Sequence, residues 1–154
     1  MADIAPKLTL TFVGRLSPDK GWYFTLQALA DWVGDADNAD WLDQVVVIVA
    51  GEGAMRSLIE STLDDLGLSA CFLGRIVPEA VPALLVNSDI YITTSEKETL
   101  GLTVLEALCA GIPAIAPRAG GVVTHMQDGY NGRLYAPQSS PQSSQNRRRL
   151  LFPR

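Results

Sequence analysis

Ser95-Glu-Lys-Glu-Thr-Leu-Gly-Leu-Thr-Val-Leu-Glu-Ala-Leu-Cys-Ala-Gly111 is the stretch that decides the fold. It follows an apolar run, Ile90-Tyr-Ile-Thr-Thr94, rich in β-branched and aromatic residues and free of Gly and Pro. That run predicts a strand. Ser95 to Thr99 is polar and turn-like, and Leu102, Leu105, Ala107, Leu108 and Cys109 then recur at helical spacing. Gly111-Ile-Pro113 ends the helix with a Gly and a Pro. A strand that feeds a helix through a short polar loop makes a crevice at its carboxyl end, where open α/β sheets bind ligands. The amides of Thr99, Leu100 and Gly101 are expected to be unpaired at the helix start and open to an anion. Two carboxylates, Glu98 and Glu106, flank them.

The same unit recurs on both sides of this stretch. Leu8-Thr-Leu-Thr-Phe-Val13 alternates and predicts a strand ended by Gly14, and Trp22 to Val33 carries Trp22, Leu26, Leu29, Ala30 and Val33 at helical spacing. Gly34 to Asp40 reads as an acidic loop. Val45-Val-Val-Ile-Val-Ala50 is apolar at every position, as expected of a parallel strand covered on both faces. Met55 to Leu66 is an amphipathic helix capped by Gly67, Ala70-Cys-Phe-Leu73 a short strand, and Pro78 to Asn87 a short helix. Pro113-Ala-Ile-Ala-Pro117 is a strand whose prolines place it toward an edge or keep it short. Val122 to Gln127 reads as a one- to two-turn helix and Arg133-Leu-Tyr135 as a final strand.

Five or so successive β-α units predict an α/β fold. The expected architecture is a doubly wound, mostly parallel sheet of Rossmann-like form, with right-handed crossovers. Residues 1–137 form the expected domain. Residues 138–154 are rich in Ser, Gln and Arg, lack periodicity, and are expected to be disordered.

Composition narrows the function. The 154 residues are 47% hydrophobic and carry a formal net charge of −5. That balance supports a folded core and argues against a general nucleic-acid binder. Cys71 and Cys109 are the only cysteines; they read as small core residues, show no metal-ligand spacing and fit a reducing compartment. No apolar run reaches membrane-spanning length. His125, the single histidine, reads as a surface helix residue.

The loops after the strands repeat one pattern, a Gly beside a charged residue: Gly14-Arg15 with Lys20, Gly51-Glu-Gly53, Gly74-Arg75, Glu98 with Gly101, and Arg118 with Gly120-Gly121. In a parallel sheet these loops share one rim. Arg15 as a planar fork, Lys20 as a point charge and the helix amides together suit a diphosphate. Glu106, farther along the helix, suits a pair of adjacent hydroxyls such as a ribose presents. Each residue alone also has a plain reading. A loop Arg or Lys is at home in solvent, and a Glu near a helix start complements the dipole. A hydrolytic carboxylate pair fits poorly. Were Glu98 and Glu106 both helical, eight residues of rise would separate their backbones by roughly 12 Å, beyond the ~5–9.5 Å of glycosidase pairs.

In combination these motifs resemble the C-terminal, donor-binding domain of family 4 retaining glycosyltransferases, which have the GT-B fold. The resemblance runs from about Leu8 to Pro137. It rests on Phe12-Val-Gly-Arg-Leu-x-x-x-Lys-Gly21, Gly51-Glu-Gly53, Phe72-Leu-Gly-Arg75, Glu98 and Glu106 with Ala107-Leu-x-Ala-Gly-Ile-Pro113, Arg118-Ala-Gly-Gly121 and Asp128-Gly-Tyr-Asn-Gly132. The wording of 95–101 and 116–121 is nearest to the sulfoquinovosyltransferase branch of that family. The resemblance implies a UDP-sugar donor, with no metal and no separate cofactor. Arg15 and Lys20 would hold the diphosphate and, with Glu98, make up the catalytic set. Arg75 and Ile76 would border the nucleobase, and Glu106 would bind the ribose. The amides of Thr99, Leu100 and Gly101 would take the distal phosphate. Transfer would proceed by front-face attack, onto a lipid or glycan acceptor, in the cytoplasm and peripheral to a membrane where the acceptor is a lipid. The family also implies an N-terminal acceptor-binding domain, expected to be missing here, and helices where Ser139 to Arg154 now stands. The chain is therefore expected to be incomplete and inactive alone. The alternative is a non-catalytic fragment or degenerate subunit that pairs with a separate acceptor domain.

Overall fold

The computed structural model describes residues 7–137. The expected tail at 138–154 lies outside them. Six strands form one all-parallel sheet among the described residues. They are β1 (Leu8–Val13), β2 (Val45–Ala50), β3 (Ser69–Gly74), β4 (Ile90–Ile92), β5 (Ala114–Pro117) and β6 (Gly132–Tyr135). The helices are α1 (Trp22–Val33), α2 (Arg56–Asp65), α3 (Val81–Val86) and α4 (Leu102–Cys109).

The strand order is β3-β2-β1-β4-β5-β6. The chain thus builds outward from β1 to β3, returns to the far side of β1 at β4, and builds outward again. The reversal leaves a switch point between β1 and β4, where the loops leaving the two strands diverge and open a crevice.

Each face of the sheet carries its own core. One packs Leu10, Phe12, Val45, Val47 and Val49 against α1 and α2, through Leu29, Trp32, Ile59 and Leu63. The other packs Tyr91, Ala114 and Ala116 against α3 and α4, through Val81, Leu85, Val104 and Ala107. The all-apolar β2 belongs to this parallel sheet, but its coverage is unequal. Val45, Val47 and Val49 are buried, while Val46 and Ile48 on the opposite face are only partly so.

The structure corrects or sharpens five readings. Cys71 and Cys109 are exposed rather than core. Cys71 sits on β3, the sheet's edge, where most residues are exposed, and Cys109 ends α4 on its outer side. The proline-flanked β5 is short, at four residues, but it is not an edge strand; it pairs with both β4 and β6. Its prolines sit at the ends of the strand and leave its middle free to bond on both sides. The acidic linker is not an open loop: Ala36–Gln44 is a 3₁₀ segment started by Asp35, whose carboxylate accepts from the Asp37 amide. The segment after Pro78 divides into a 3₁₀ turn, Pro78–Ala80, and the short α3. His125 caps another 3₁₀ turn, Gly120–Thr124, in place of a longer helix, and is half-buried.

Candidate functional site

A cavity of about 210 Å³ opens at the switch point between β1 and β4. The end of β1 and its loop supply Phe12, Val13, Gly14 and Arg15 to its wall, and the end of β4 supplies Tyr91 through Ser95. Lys20, Trp22, Glu98, Gly101, Thr103 and Val104 complete it. The floor is the fully buried Tyr91, whose phenol is pushed up by burial and then by the negative charge of Glu98. Gly14 has φ +144, and a Cβ there would meet nothing within 4 Å, so its backbone borders open space.

Two cations reach this cavity from one loop. Lys20 Nζ donates to Glu98 Oε1 at 2.8 Å, with the two side chains only 28% and 29% exposed. Burial alone pushes the Glu98 carboxyl up. The Lys20 hydrogen bond, the neighbouring Ser95 hydroxyl and the charges of Lys20 and Arg15 outweigh it and hold Glu98 below the usual glutamate range. Arg15 is far more exposed, at 71%, and its guanidinium pairs with Asp19 at 3.4 Å. Its guanidinium is loosely held and available to a ligand.

Glu98 is positioned from behind. Its carbonyl accepts from the Gly121 amide at 2.8 Å. Gly120 takes φ +60, and a Cβ on it would lie 2.4 Å from that same carbonyl oxygen. Only Gly fits this left-handed position against a neighbouring backbone. The Gly120-Gly121 pair therefore packs the 118–121 loop onto the Glu98 loop. Gly101, at φ +70, caps α4 and ends that loop. The helix begins at Leu102, so the amides left without a helical acceptor in its first turn are those of Leu102, Thr103 and Val104. Of the expected trio, Gly101 is the N-cap of this helix, and Thr99 and Leu100 precede it.

The predicted residues divide into two groups. Arg15, Lys20, Glu98 and Gly101 line one cavity. Thr99 and Leu100 are exposed on the loop beside it. Arg75 is exposed past the end of β3, and Ile76 packs partly against the second core, so both lie on the same rim but off the cavity wall. Glu106 is half-buried on α4 and also off the wall. Glu98 lies in the loop before α4, so the all-helical separation assumed for the carboxylate pair does not apply.

Comparison with known proteins places this geometry. Residues 4–151 match the family described as Glycosyl transferases group 1. The chain belongs to that family. The sulfoquinovosyl transferase SQD2 of Arabidopsis thaliana is 33% identical over 101 residues, 64% of this chain and 19% of that protein. A GDP-mannose-dependent alpha-mannosyltransferase of Corynebacterium glutamicum is 29% identical over 128 residues, 83% of this chain and 27% of that protein. Among solved structures, Anabaena Alr3699/HepE in complex with UDP and glucose superposes with TM-score 0.71 at 27% identity, over 94% of this chain and 38% of that one. The group 1 chain thus spans about a fifth to a quarter of the length of these curated relatives. Its fold is that of one domain of a GT-B glycosyltransferase.

Sequence reasoning missed several residues of this cavity, Trp22, Tyr91, Thr94 and Ser95 among them. Trp22 and Tyr91 carried only the periodicity of core residues, and both are indeed nearly buried, at 6% and 3% exposed. Nothing in the sequence tied Thr94 to its partner Thr25, 69 positions away.

Proposed function

We propose that this domain binds a nucleoside-diphosphate sugar, a UDP-sugar in the first instance, for retaining transfer to an acceptor presented by a second domain. The observation that carries the reading is the convergence of Arg15, Lys20 and Glu98 on one cavity at the switch point, beside the start of α4. The diphosphate takes the place of Glu98 as the partner of Lys20 and draws in the loose Arg15 fork. The helix amides meet the distal phosphate. Glu98, released from Lys20, accepts hydrogen bonds from sugar hydroxyls.

The cavity is smaller than the ~300–1,000 Å³ of pockets that enclose a drug-sized ligand, so it holds the diphosphate and sugar. Ribose and base extend along the rim, past Glu106 and toward Arg75 and Ile76. As the bond from the sugar to the distal phosphate breaks, negative charge grows on the leaving phosphate oxygen. Arg15, Lys20 and the amides stabilise it without reorganising. The acceptor hydroxyl attacks the same face and passes its proton to that oxygen. The acceptor is a lipid or a glycan, and a lipid acceptor brings the protein to a membrane surface; among the described residues no helix is long and apolar enough to cross one.

Thermal shift tests the reading. UDP at millimolar concentration raises the melting temperature by mass action on the folded state. Arg15→Ala and Glu106→Ala, both at incompletely buried positions, abolish the rise without lowering the ligand-free melting temperature by more than a few degrees. A wild-type domain indifferent to millimolar UDP and to other nucleoside diphosphates refutes donor binding.

A further inference from the structure

Arg15 and Lys20 stand at the two ends of one short loop, and each end is tied to the protein interior through its own backbone carbonyl. Trp22 Nε1 donates to the Arg15 carbonyl at 3.3 Å. Thr94 Oγ1 donates to the Lys20 carbonyl at 3.0 Å. Both donors are nearly buried, at 6% and 7% exposed. The Trp22 ring is fixed in turn by Phe12 of β1, with ring centroids 5.2 Å apart.

The Thr94 hydroxyl has a second partner, Thr25 Oγ1 of α1, at 2.8 Å. Proton counting orders this chain. Each hydroxyl has one proton. Thr94 spends its proton on the Lys20 carbonyl, so Thr25 must be the donor between the two hydroxyls. The competing acceptor for Thr25, the Gly21 carbonyl, is farther away at 3.4 Å. The relay Thr25 to Thr94 to Lys20 carbonyl is therefore satisfied at every link, and each bond polarises the next. Gly21 closes the remaining freedom: at φ +78, a Cβ there would lie 2.3 Å from the Thr94 carbonyl oxygen, so the turn is seated directly on the backbone after β4.

Resting on the donor-binding reading above, we infer that Thr94 and Trp22 are positioning residues of the diphosphate site. They act on the ligand through Lys20 and Arg15, by fixing the backbone from which each cation reaches the cavity. A lysine ammonium on a flexible four-carbon stem samples a wide volume. Anchoring its root confines that volume to the neighbourhood of Glu98. The clamp also keeps Lys20 in place when a phosphate takes it from Glu98.

The test compares Thr94→Val, which keeps the shape and loses the hydroxyl, with Thr94→Ser, which keeps the hydroxyl. Two quantities are read in each folded variant: the carboxyl ¹³C titration of Glu98 without nucleotide, and the affinity for UDP by calorimetry. In Thr94→Val the Glu98 titration moves up toward the ordinary glutamate value and UDP binding weakens about fivefold, the loss expected of one net hydrogen bond. Thr94→Ser restores both. A Glu98 titration unmoved in Thr94→Val overturns the clamp, whatever UDP does. A wild type with the depressed Glu98 titration but no UDP affinity overturns the donor reading instead, and the titration still decides the clamp. Thr94→Ala takes the same two readings if Val is not accommodated. Trp22→Phe keeps the packing on Phe12 and loses the indole donor. It weakens UDP and moves the Glu98 titration up less than Thr94→Val does, because the charge of Arg15 is the last of the causes that hold Glu98 low, and unchanged UDP affinity in a UDP-binding protein removes Trp22 from the proposal.

Discussion

Replacing Glu98 by Gln separates the two duties assigned to that carboxylate. In the free protein Glu98 holds Lys20 at 2.8 Å, with both side chains a little over a quarter exposed. A pair in that setting is worth about 1 kcal/mol, between the near-zero of an exposed pair and the several kcal/mol of a buried one. The substitution removes it, so the folded domain loses roughly that much stability. UDP gains what the protein loses: its diphosphate no longer competes with a carboxylate for Lys20. One kcal/mol corresponds to about fivefold in affinity, so UDP binds Glu98→Gln about fivefold more tightly. A UDP-sugar responds in the opposite direction. It loses charge-assisted hydrogen bonds to Glu98 worth about 1.5–3 kcal/mol, against the same 1 kcal/mol gain. Its affinity falls by roughly two- to thirtyfold.

The assay is calorimetric titration of wild type and Glu98→Gln with UDP and with UDP-glucose, on proteins shown to be folded. The opposite signs are the diagnostic result. If UDP weakens along with UDP-glucose, the carboxylate is needed to hold Lys20 for the phosphate, and the exchange of partners is wrong. Acid provides an independent check. Glu98 titrates below the ordinary glutamate value of 4.5 in the folded protein. Its stabilising contribution is therefore complete above 4.5 and is lost as pH falls through the lower, folded value. The stability gap between wild type and Glu98→Gln should be constant at neutral pH and close as the solution is acidified. A gap that widens in acid contradicts the ion pair.

Gly120→Ala should destabilise the domain by about 3 kcal/mol in denaturant unfolding, combining left-handed strain with a clash against the Glu98 carbonyl. Gly129→Ala, at φ +79 with open space around the added Cβ, carries the strain alone and should cost about 1–2 kcal/mol; equal losses at the two positions would show that the 118–121 loop is not packed as described. Cys71 and Cys109 are both exposed, so a thiol reagent should modify two groups per native chain without denaturant. Because neither lines the cavity, millimolar UDP should leave that count and rate unchanged, and a single reactive thiol would show that one of the two is covered.

The fold was legible because its signals are local. Each strand announced itself by an unbroken apolar or alternating run and most turns by a Gly, so the order of elements could be read from periodicity. The strand order could not, since nothing in the sequence says on which side of β1 the chain returns; that choice creates the switch point and hence the cavity. The cysteines were misjudged for the same reason: Cys71 is exposed because β3 is an edge, and edges are a property of order rather than of composition. At the site, the residues that carry charge were visible and those that aim the charge were not. Arg15, Lys20 and Glu98 stand out as charged residues beside glycines in loops. Thr94, Thr25 and Trp22 look like strand and helix residues, and their role exists only through pairings to positions far along the chain or to a main-chain carbonyl. Ligand chemistry is written in side chains with charge, while the geometry that makes the chemistry selective is written in contacts between backbone and buried hydroxyl. The second kind is what substitution at Thr94 interrogates, and it can be lost while every recognisable motif in the sequence remains intact.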